Sequence, residues 1–425
     1  MLLDRDGLRR VLAGHPMHDE LGVRIELDEA RGRVSLHKEG LRPAHARFTG
    51  DQGVVLVADP DAPVHFDPEP APPQGPDPDA TPWPTGDRTP GDLLDRATSD
   101  TLDPAVAERA ADLVFANPAQ CASAFLVVHR GQIVAERYFR AYDRETRFEA
   151  WSMGKTIGLA LAGRSLALHG GDLDQTDLFP EWAHDERRHI RLRDLMQLSS
   201  GLAFSGSFGR NEDQSELARD GRFLDHVYVY ASGGDAFRFC VDAPLEHPPG
   251  TVGRYRNCDP LLLQKWLRDR LIERGESPLA WPQRALFDPL GIRGIVLETD
   301  PFGQFLISGH DYGRARDFAR LGLLFLQDGT WNGQPVLPEG FVDFVRRPAP
   351  AWKGERGASV VLNRDGRLAL PTDAYWMSGA TVNRTIVVPS LDLVVVRMGP
   401  IAGRPAGELA TLNEALALIA DAAGR

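Results

Sequence analysis

The sequence predicts an α+β fold in which one antiparallel sheet is assembled from two distant parts of the chain. Two apolar strands surround a turn within residues 123–139. Three further strand-like runs, SVVLNR, RTIVVP and LVVVRM, lie in the last third of the 425 residues. Runs with helical periodicity dominate the part between them. We therefore expect the early hairpin to pair with the late strands, with helices around the sheet and a mainly helical insert at about 170–350.

The first hundred residues are predicted to be an N-terminal extension (1–100) that precedes the main domain (101–425). Strand-like runs at 23–27 and 54–57 indicate a small β-ribbon in this extension. From about residue 59 to residue 92 the composition shifts to Pro, Asp and Gly, which restricts the backbone and removes hydrogen-bond donors. This stretch is expected to act as a linker or to wrap a surface.

The main domain is expected to begin with a helix at residues 102–116, followed by the hairpin. A second helix should begin at about Ser152 and end at His169, where Gly170 provides a stop signal. After a polar, Pro-marked stretch and a helix start at 192–198, long irregular stretches are expected up to Pro249. Further helical runs are predicted at residues 192–198, 261–274 and 318–329, at 341–347, and from Leu412 onward.

The charge and cysteine content exclude several classes of function. A net charge of −12 and the lack of Lys/Arg-rich runs argue against binding to nucleic acid or to an anionic membrane. Charged residues interrupt the start of the chain, and no apolar run reaches the roughly 18 residues of a membrane span. Cys121, Cys240 and Cys258 are odd in number and widely spaced, which predicts reduced thiols. We expect a cytoplasmic protein without nucleic-acid or membrane partners, and a homodimer is left open.

Ser152 and Lys155 stand three residues apart, where a charged run gives way to the helix in FEAWSMGKTIGLALAG. This spacing places both side chains on one side of the first helical turn. A serine needs a base to become a nucleophile, and a lysine whose pKa is lowered by burial can serve. The pair therefore predicts a nucleophile and its base. The alternative is a serine that caps the helix and a solvated lysine.

Two other kinds of site are excluded by spacing. The GKT tripeptide at 154–156 matches the end of a phosphate-binding loop, but Glu149 occupies the position that requires glycine. His184 and His189 stand five residues apart, whereas a zinc-binding HExxH helix needs four. We therefore expect no nucleotide site at the GKT tripeptide and no zinc site at the histidines.

Two further motifs contain groups that could assist Ser152. In PPGTVGRYRNCDP, Tyr255 could shuttle protons and Asn257 could hold a lysine and a substrate carbonyl through its two-sided amide. In YWMSGATVNRTIVV, Gly379 would let the backbone N–H of Ala380 approach a carbonyl as half of an oxyanion hole. Taken singly, the first motif also fits a surface turn and the second an edge strand.

The order and spacing of these motifs resemble the serine β-lactamase and penicillin-binding-protein superfamily. SMGK is followed by YRN about a hundred residues later and by the glycine strand about 120 residues beyond that. The stretches LRDLMQLSSGLAF and GHDYGRARDFARLGLLFLQDG are similar to the class C-like branch, which contains family VIII esterases, D-aminopeptidases and 6-aminohexanoate-dimer hydrolase. The resemblance covers roughly residues 105–425.

This resemblance implies a β-lactamase/transpeptidase-like fold and a serine acyl-transfer mechanism without metal or cofactor. Ser152 would attack an ester or amide carbonyl, with Lys155 and Tyr255 sharing general-base and general-acid duty. The backbone amides of Ser152 and Ala380 would hold the oxyanion. Asn257 would orient the lysine and the substrate.

The sequence departs from the family at the third motif. Where members carry KTG, HxG or WGG, this chain has Met377, Ser378 and Gly379. Without a cation at that place to bind a carboxylate, the sequence favours an uncharged acyl substrate over a β-lactam. Met377, Trp376 and Asn383 are expected to line an apolar pocket.

The sequence thus predicts a serine hydrolase that acts on small esters or amides. The alternative within the enzymes is a β-lactamase or a D-amino-acid peptidase. A third hypothesis, from another class, is a non-catalytic ligand-binding protein with the same fold. If Ser152 is not the nucleophile, Ser205 or Ser207 in the SGSFGR loop would be the next candidates for that role.

Overall fold

The computed structural model describes residues 22, 24–89, 101–117, 122–140, 142–205, 225–399 and 410–424. The strands are β1 Arg24–Asp28, β2 Arg33–His37, β3 Ala44–Phe48, β4 Val54–Val57, β5 Ala124–His129, β6 Gln132–Tyr138, β7 Phe148–Glu149, β8 Val296–Leu297, β9 Asp311–Gly313, β10 Thr330–Trp331, β11 Gln334–Pro335, β12 Val361–Leu362, β13 Tyr375–Ser378, β14 Arg384–Val388 and β15 Leu393–Met398. The α-helices are α1 Pro104–Ala116, α2 Gly154–His169, α3 Leu192–Met196, α4 Asp225–Ala231, α5 Ala236–Val241, α6 Cys258–Glu273, α7 Asp288–Leu290, α8 Ala315–Leu326, α9 Phe341–Arg346 and α10 Ala410–Ala423.

The main sheet contains six strands in the order β12-β13-β14-β15-β5-β6, and every neighbouring pair is antiparallel. The hairpin β5–β6 comes from the early part of the domain, and the other four strands come from its end. The two parts meet where β15 pairs with β5, with Val394 opposite Val128. The predicted α+β fold with a sheet built from both parts of the chain is confirmed.

Helices cover both faces of this sheet, which explains why β5 and β15 are buried along their whole length. On one face α8 packs closely, because a Cβ on Gly322 would lie 2.6 Å from the side chain of Val394. On the other face α1 and α10 pack in a separate apolar cluster with Val395 and Ile386. The first of these two faces carries the larger core, which includes α2 and α6.

A second, three-stranded sheet leads to the helix that carries Ser152. Its strands lie in the order β7-β9-β8, with Phe148 opposite Gly313 and Val296 opposite Tyr312. Because β7 ends at Glu149, the position of the following turn is fixed by its pairing with β9.

The N-terminal strands β1 to β4 form a separate antiparallel sheet, which confirms the predicted ribbon. The Pro/Asp-rich stretch lies against the main domain. Trp83 is buried and its indole N–H donates to the carbonyl of Gly131 (3.0 Å). The carboxylate of Asp87 is buried between Arg314 (3.2 Å) and Arg320 (2.7 Å). The domain boundary at about residue 100 stays a prediction.

The helices agree with the sequence except in the part expected to be irregular. There the structure has two short helices, α4 and α5. Their sequences, DHVYVYA and AFRFCV, are rich in β-branched and aromatic residues, which have low helix propensity. Tertiary packing against α6 and a capping bond from the N–H of Arg238 to Asp235 (2.8 Å) stabilise α5 instead. No helix in the described ranges combines the length and apolar composition needed to cross a bilayer.

Candidate active site

Ser152 lies in a single 3₁₀ turn, Trp151–Met153, between β7 and α2. The turn is anchored where the N–H of Ala150 donates to the carbonyl of Asp311 on β9 (2.8 Å). Trp151 has a φ of +51°, an uncommon conformation for a residue with a side chain. Ser152 remains partly exposed. The sheet and turn therefore present the serine hydroxyl at the start of a buried helix.

Gly154, the glycine of the SMGK motif, is required for steric reasons. A Cβ on Gly154 would lie 2.0 Å from Oδ1 of Asp311, so no larger residue fits without moving the strand or the helix. The close approach places the fully buried Asp311 carboxyl beside the first turn of α2. No pattern in the sequence indicated that Asp311 belongs to the site.

Lys155 is buried, and its Nζ donates hydrogen bonds to Oγ of Ser152 (3.1 Å) and to the carbonyl of Ser308 (3.2 Å). Burial lowers the pKa of the Lys155 ammonium, and Arg356 acts in the same direction. Tyr255 and Asp311 oppose this shift without cancelling it. A lysine in this state can lose its proton and act as a base toward the serine.

Tyr255 is the third group at this point. Its ring centroid lies 4.7 Å from Nζ of Lys155, and its hydroxyl shares hydrogen bonds with Lys155 and Ser152. Burial raises the pKa of the Tyr255 phenol, but Lys155, Ser152 and Arg356 outweigh burial, so the pKa lies below its ordinary value. The phenol can therefore exchange protons with both neighbours.

The segment that carries Tyr255 is held by the packing of α6 on α2. A Cβ on Gly158 would come within 2.6 Å of the amide of Gln264, so the two helices approach closely there. Asn257 is fully buried at the start of α6, two residues beyond Tyr255. The structure thus brings the YRN motif to the SMGK motif, whereas the proposed role of Asn257 stays a prediction.

The glycine strand also reaches the serine turn. A Cβ on Gly379 would lie 2.3 Å from the carbonyl oxygen of Ala150, so only glycine lets β13 end this close to Ser152. Ala380, the next residue, is exposed and opens a 3₁₀ turn. The guanidinium of Arg384 donates to the carbonyl of Gly379 (2.9 Å) and so supports this turn. The N–H of Ala380 as an oxyanion donor stays a prediction.

The residues expected to line an apolar pocket lie in different places. Trp376 packs with α1 and α10, on the sheet face away from Ser152, so the structure does not bring it to the site. Met377 is buried in the larger core on the other face, and Ser378 is partly exposed. Asn383 is buried and bridges two backbone groups. Its amide donates to the carbonyl of Glu149 (2.8 Å) and accepts from the N–H of Gly399 (2.6 Å).

Several polar groups at the site carried no sequence signal. Ser308 contributes its carbonyl to Lys155, and its hydroxyl is hydrogen-bonded to Tyr230 of α4 (2.7 Å). Burial raises the pKa of Asp311 well above its ordinary value, Lys155 opposes the shift, and nearby Glu149 adds to it. In the described part of the chain, no group of three or more His, Cys, Asp or Glu residues is placed to hold a metal ion.

The alternative nucleophile Ser205 has a structural role. Its N–H donates to the carboxylate of Asp225 (2.7 Å), and its hydroxyl accepts from the N–H of the same residue (2.8 Å). These reciprocal bonds tie Ser205 to the start of α4, and among the described residues no lysine, histidine or carboxylate is hydrogen-bonded to its hydroxyl. Ser207 lies outside the described residues.

A six-stranded antiparallel sheet between helical layers, with a Ser-Lys-Tyr cluster at the start of a buried helix, defines a serine hydrolase of the β-lactamase/transpeptidase fold. The Beta-lactamase family model matches residues 111–418. The chain therefore belongs to the Beta-lactamase family and is a serine hydrolase.

Solved structures show the same fold at low sequence identity. A 6-aminohexanoate-dimer hydrolase homologue from Bacillus anthracis is 22% identical, with a TM-score of 0.58 over 73% of this chain and 81% of that chain. A family VIII carboxylesterase is 15% identical, with a TM-score of 0.57 over 74% of this chain and 97% of that chain. EstCE1, a hydrolase with promiscuous acyltransferase activity, is 14% identical, with a TM-score of 0.57 over 74% and 98%. No curated protein matches the chain.

Proposed function

We propose that the protein hydrolyses small ester or amide bonds through a covalent acyl-enzyme on Ser152. The observation that carries this proposal is the hydrogen bond between the partly exposed Ser152 hydroxyl and the buried Lys155 amine, at 3.1 Å. A solvated lysine or a simple helix cap would not need that burial. Tyr255 in contact with both groups supports the same proposal.

In the first half of the reaction, the neutral amine of Lys155 removes the proton of the Ser152 hydroxyl, directly or through Tyr255. The serine oxygen forms a bond to the substrate carbonyl carbon, and the carbonyl π electrons move to its oxygen. When this oxyanion collapses, the bond to the leaving group breaks. Tyr255 then delivers the proton to the departing alkoxide or amine.

In the second half, water takes the place of the leaving group. The same lysine–tyrosine pair removes a proton from the water, whose oxygen attacks the acyl carbon. Collapse of the second oxyanion breaks the bond to Ser152, which regains a proton. The acid is released. The backbone amides of Ser152 and Ala380 are the proposed oxyanion donors, and Asn257 is proposed to orient Lys155 and the substrate.

Labelling with a fluorophosphonate tests this mechanism, because the probe reacts only with an activated serine. We expect one adduct on the wild-type protein by intact-mass measurement and none on Ser152→Ala. Ser205→Ala is the matched control, since its hydroxyl is engaged with α4, and it should label like wild type. An unlabelled wild-type protein, or an adduct that persists in Ser152→Ala, would overturn the proposal. The first of these results would favour the non-catalytic ligand-binding hypothesis.

A comparison of substrates tests the class of bond. We expect faster hydrolysis of a short-chain aryl ester than of a chromogenic cephalosporin, since the third motif carries no cation at Met377. Faster cephalosporin turnover would favour the β-lactamase or D-amino-acid peptidase alternative. A cytoplasmic location and a homodimer also remain proposals, to be checked by cell fractionation and by light scattering of the purified protein.

A further inference from the structure

A second cation lies at the site, on a different element from the one the family motif uses. The guanidinium carbon of Arg356 is 5.1 Å from the ring centroid of Tyr255 and 5.2 Å from that of Trp352. Lys155 contacts the same tyrosine ring at 4.7 Å. Lys155 and Arg356 thus both contact the ring of Tyr255, which places this arginine close to the Ser152 region.

Packing fixes the two segments whose aromatic rings contact Arg356. The indole N–H of Trp352 donates to the carbonyl of Gln197 (2.7 Å). A Cβ on Gly253 would lie 2.7 Å from the Trp352 ring, and the N–H of Gly253 donates to the carbonyl of Ala351 (3.1 Å). The segment that carries Tyr255 and the turn that carries Trp352 are therefore in direct contact, and the arginine is not a freely moving surface side chain.

Among the described residues no carboxylate lies within ion-pair distance of the Arg356 guanidinium, although Glu355 attracts it more weakly, and the guanidinium makes no side-chain hydrogen bond there. By contrast, two other buried arginines, Arg314 and Arg320, both pair with Asp317 and Asp87. Cation–π contacts are attractive, but they leave the N–H donors of the guanidinium unused. A partly buried cation with unused donors is suited to a ligand that brings its own negative charge.

We propose that Arg356 is a specificity-determining residue that binds a carboxylate carried by the acyl substrate. The inference rests on the proposed hydrolysis at Ser152. It names the substrate class as small esters or amides with a carboxylate elsewhere on the same molecule, which replaces the uncharged substrate that the third motif alone favours. The planar guanidinium matches a carboxylate in a two-point hydrogen bond. The substrate carboxylate is then bound by Arg356 in the turn before β12. The third motif does not bind it, because Met377 there is buried and uncharged.

Two esters that differ only in charge test this assignment. 4-Nitrophenyl hydrogen glutarate carries a free carboxylate, and its methyl ester is the neutral counterpart with the same aryl leaving group. For the wild type we expect the higher kcat/KM with the anionic ester. In Arg356→Gln the ratio of anionic to neutral kcat/KM should fall by about tenfold or more, mainly through KM. Arg356→Lys should recover part of the ratio, because lysine keeps the positive charge but lacks the two parallel N–H donors of a guanidinium.

Lys353→Gln is the matched control. Lys353 is exposed, lies three residues away and carries the same charge, so general electrostatic attraction would be lost equally in both variants. The ratio should be unchanged in Lys353→Gln. If Arg356→Gln lowers kcat/KM for both esters equally, or if Lys353→Gln lowers the ratio as much, the inference is wrong. Equal losses would make Arg356 a positioning residue for Tyr255.

Glutarate binding to the catalytically inactive Ser152→Ala protein gives a readout that does not require turnover. We expect glutarate to raise its Tm and expect Arg356→Gln in the same background to abolish that rise. If glutarate does not raise the Tm of Ser152→Ala, the inference is wrong. This test holds even if the Arg356→Gln variant does not fold. A failure of the proposed function appears separately, as a wild-type protein without a phosphonate adduct.

Discussion

Gly379 and Ala150 approach so closely that a Cβ on the glycine would lie 2.3 Å from the carbonyl oxygen of the alanine. The φ of Gly379 is −107°, so the requirement for glycine is steric and not conformational. This contact fixes the distance between the end of β13 and the turn that carries Ser152. The oxyanion geometry proposed for Ala380 depends on that distance.

Gly379→Ala should therefore push the two segments apart. We expect a drop in kcat for an aryl ester of at least about tenfold, since removal of an oxyanion donor costs 10²–10³ and a displaced donor is partly lost. Stability should fall by about 1–3 kcal/mol in urea unfolding. Gly234→Ala, at a partly exposed position with a negative φ, is the control. Wild-type kcat in Gly379→Ala would show that β13 does not set the site.

The pH dependence of kcat/KM should follow the state of the lysine–tyrosine pair. Burial lowers the pKa of Lys155, so the neutral base becomes available below the ordinary lysine value of about 10.4. The amine is inactive while protonated, so kcat/KM should rise with pH through this lowered pKa. Because Lys155 and Tyr255 interact, the apparent pKa belongs to the pair.

Lys155→Arg tests the same assignment, because arginine stays protonated. We expect a loss of more than about a thousandfold in kcat, whereas Lys353→Arg at an exposed position should retain wild-type activity. A flat kcat/KM profile between pH 6 and pH 10, or substantial activity in Lys155→Arg, would remove Lys155 from the role of base.

Local patterns in the sequence predicted the parts of the site that are close in the chain. Ser152 and Lys155 were recognisable because their spacing is a helical one, and the sheet was predictable from its apolar runs. Trp376 and Met377 are neighbours on one strand, so alternation allowed only one of them to face Ser152. That rule, applied to β13, could have excluded Trp376 from the pocket.

The remaining groups carried no local signal. Ser308 acts on Lys155 through a backbone carbonyl, which any residue type would supply. Arg356 lies in an irregular turn, and its neighbour Tyr255 is about a hundred residues away. Asp311 is recognisable only once β9 is paired with β7. Such contacts follow from the tertiary fold and not from periodicity.

A carboxyl beside the serine turn should make stability depend on pH. Burial, with nearby Glu298, raises the pKa of Glu149 to about 8. Between the unfolded pKa of about 4.3 and this value, the folded state binds the extra proton, so stability falls as pH rises. The free energy of unfolding of Glu149→Gln, relative to that of the wild type, should therefore be higher at pH 9 than at pH 5. We expect a difference of about 1–2 kcal/mol after discounting for solvent screening.

Urea unfolding at the two pH values measures this difference. Glu39→Gln, which makes the same change at an exposed residue between β2 and β3, is the control. If Glu149→Gln and wild type differ by the same amount at pH 5 and pH 9, the carboxyl does not titrate in this window.

The Pro/Asp-rich stretch should contribute to the stability of the main domain through Asp87. Its buried carboxylate pairs with Arg314 (3.2 Å) and Arg320 (2.7 Å) of the α8 region, more than two hundred residues away in the chain. The arginines lower the pKa of Asp87 although burial opposes them, so the carboxylate stays charged. Asp87→Ala would remove one of the two buried carboxylates that these guanidinium groups share and leave Asp317 as the other.

We expect Asp87→Ala to reduce the free energy of unfolding by about 3–5 kcal/mol, since removal of one partner of a buried ion pair is strongly destabilising. Asp79→Ala, which removes an exposed ion pair with Arg144 (2.9 Å) from the same stretch, should cost about 0–1 kcal/mol. Limited proteolysis within residues 59–89 should also become faster in Asp87→Ala alone, because the stretch loses its anchor. Equal losses in the two variants would mean that the contacts of Asp87 do not hold this stretch, and that Trp83 and the surrounding backbone bonds do.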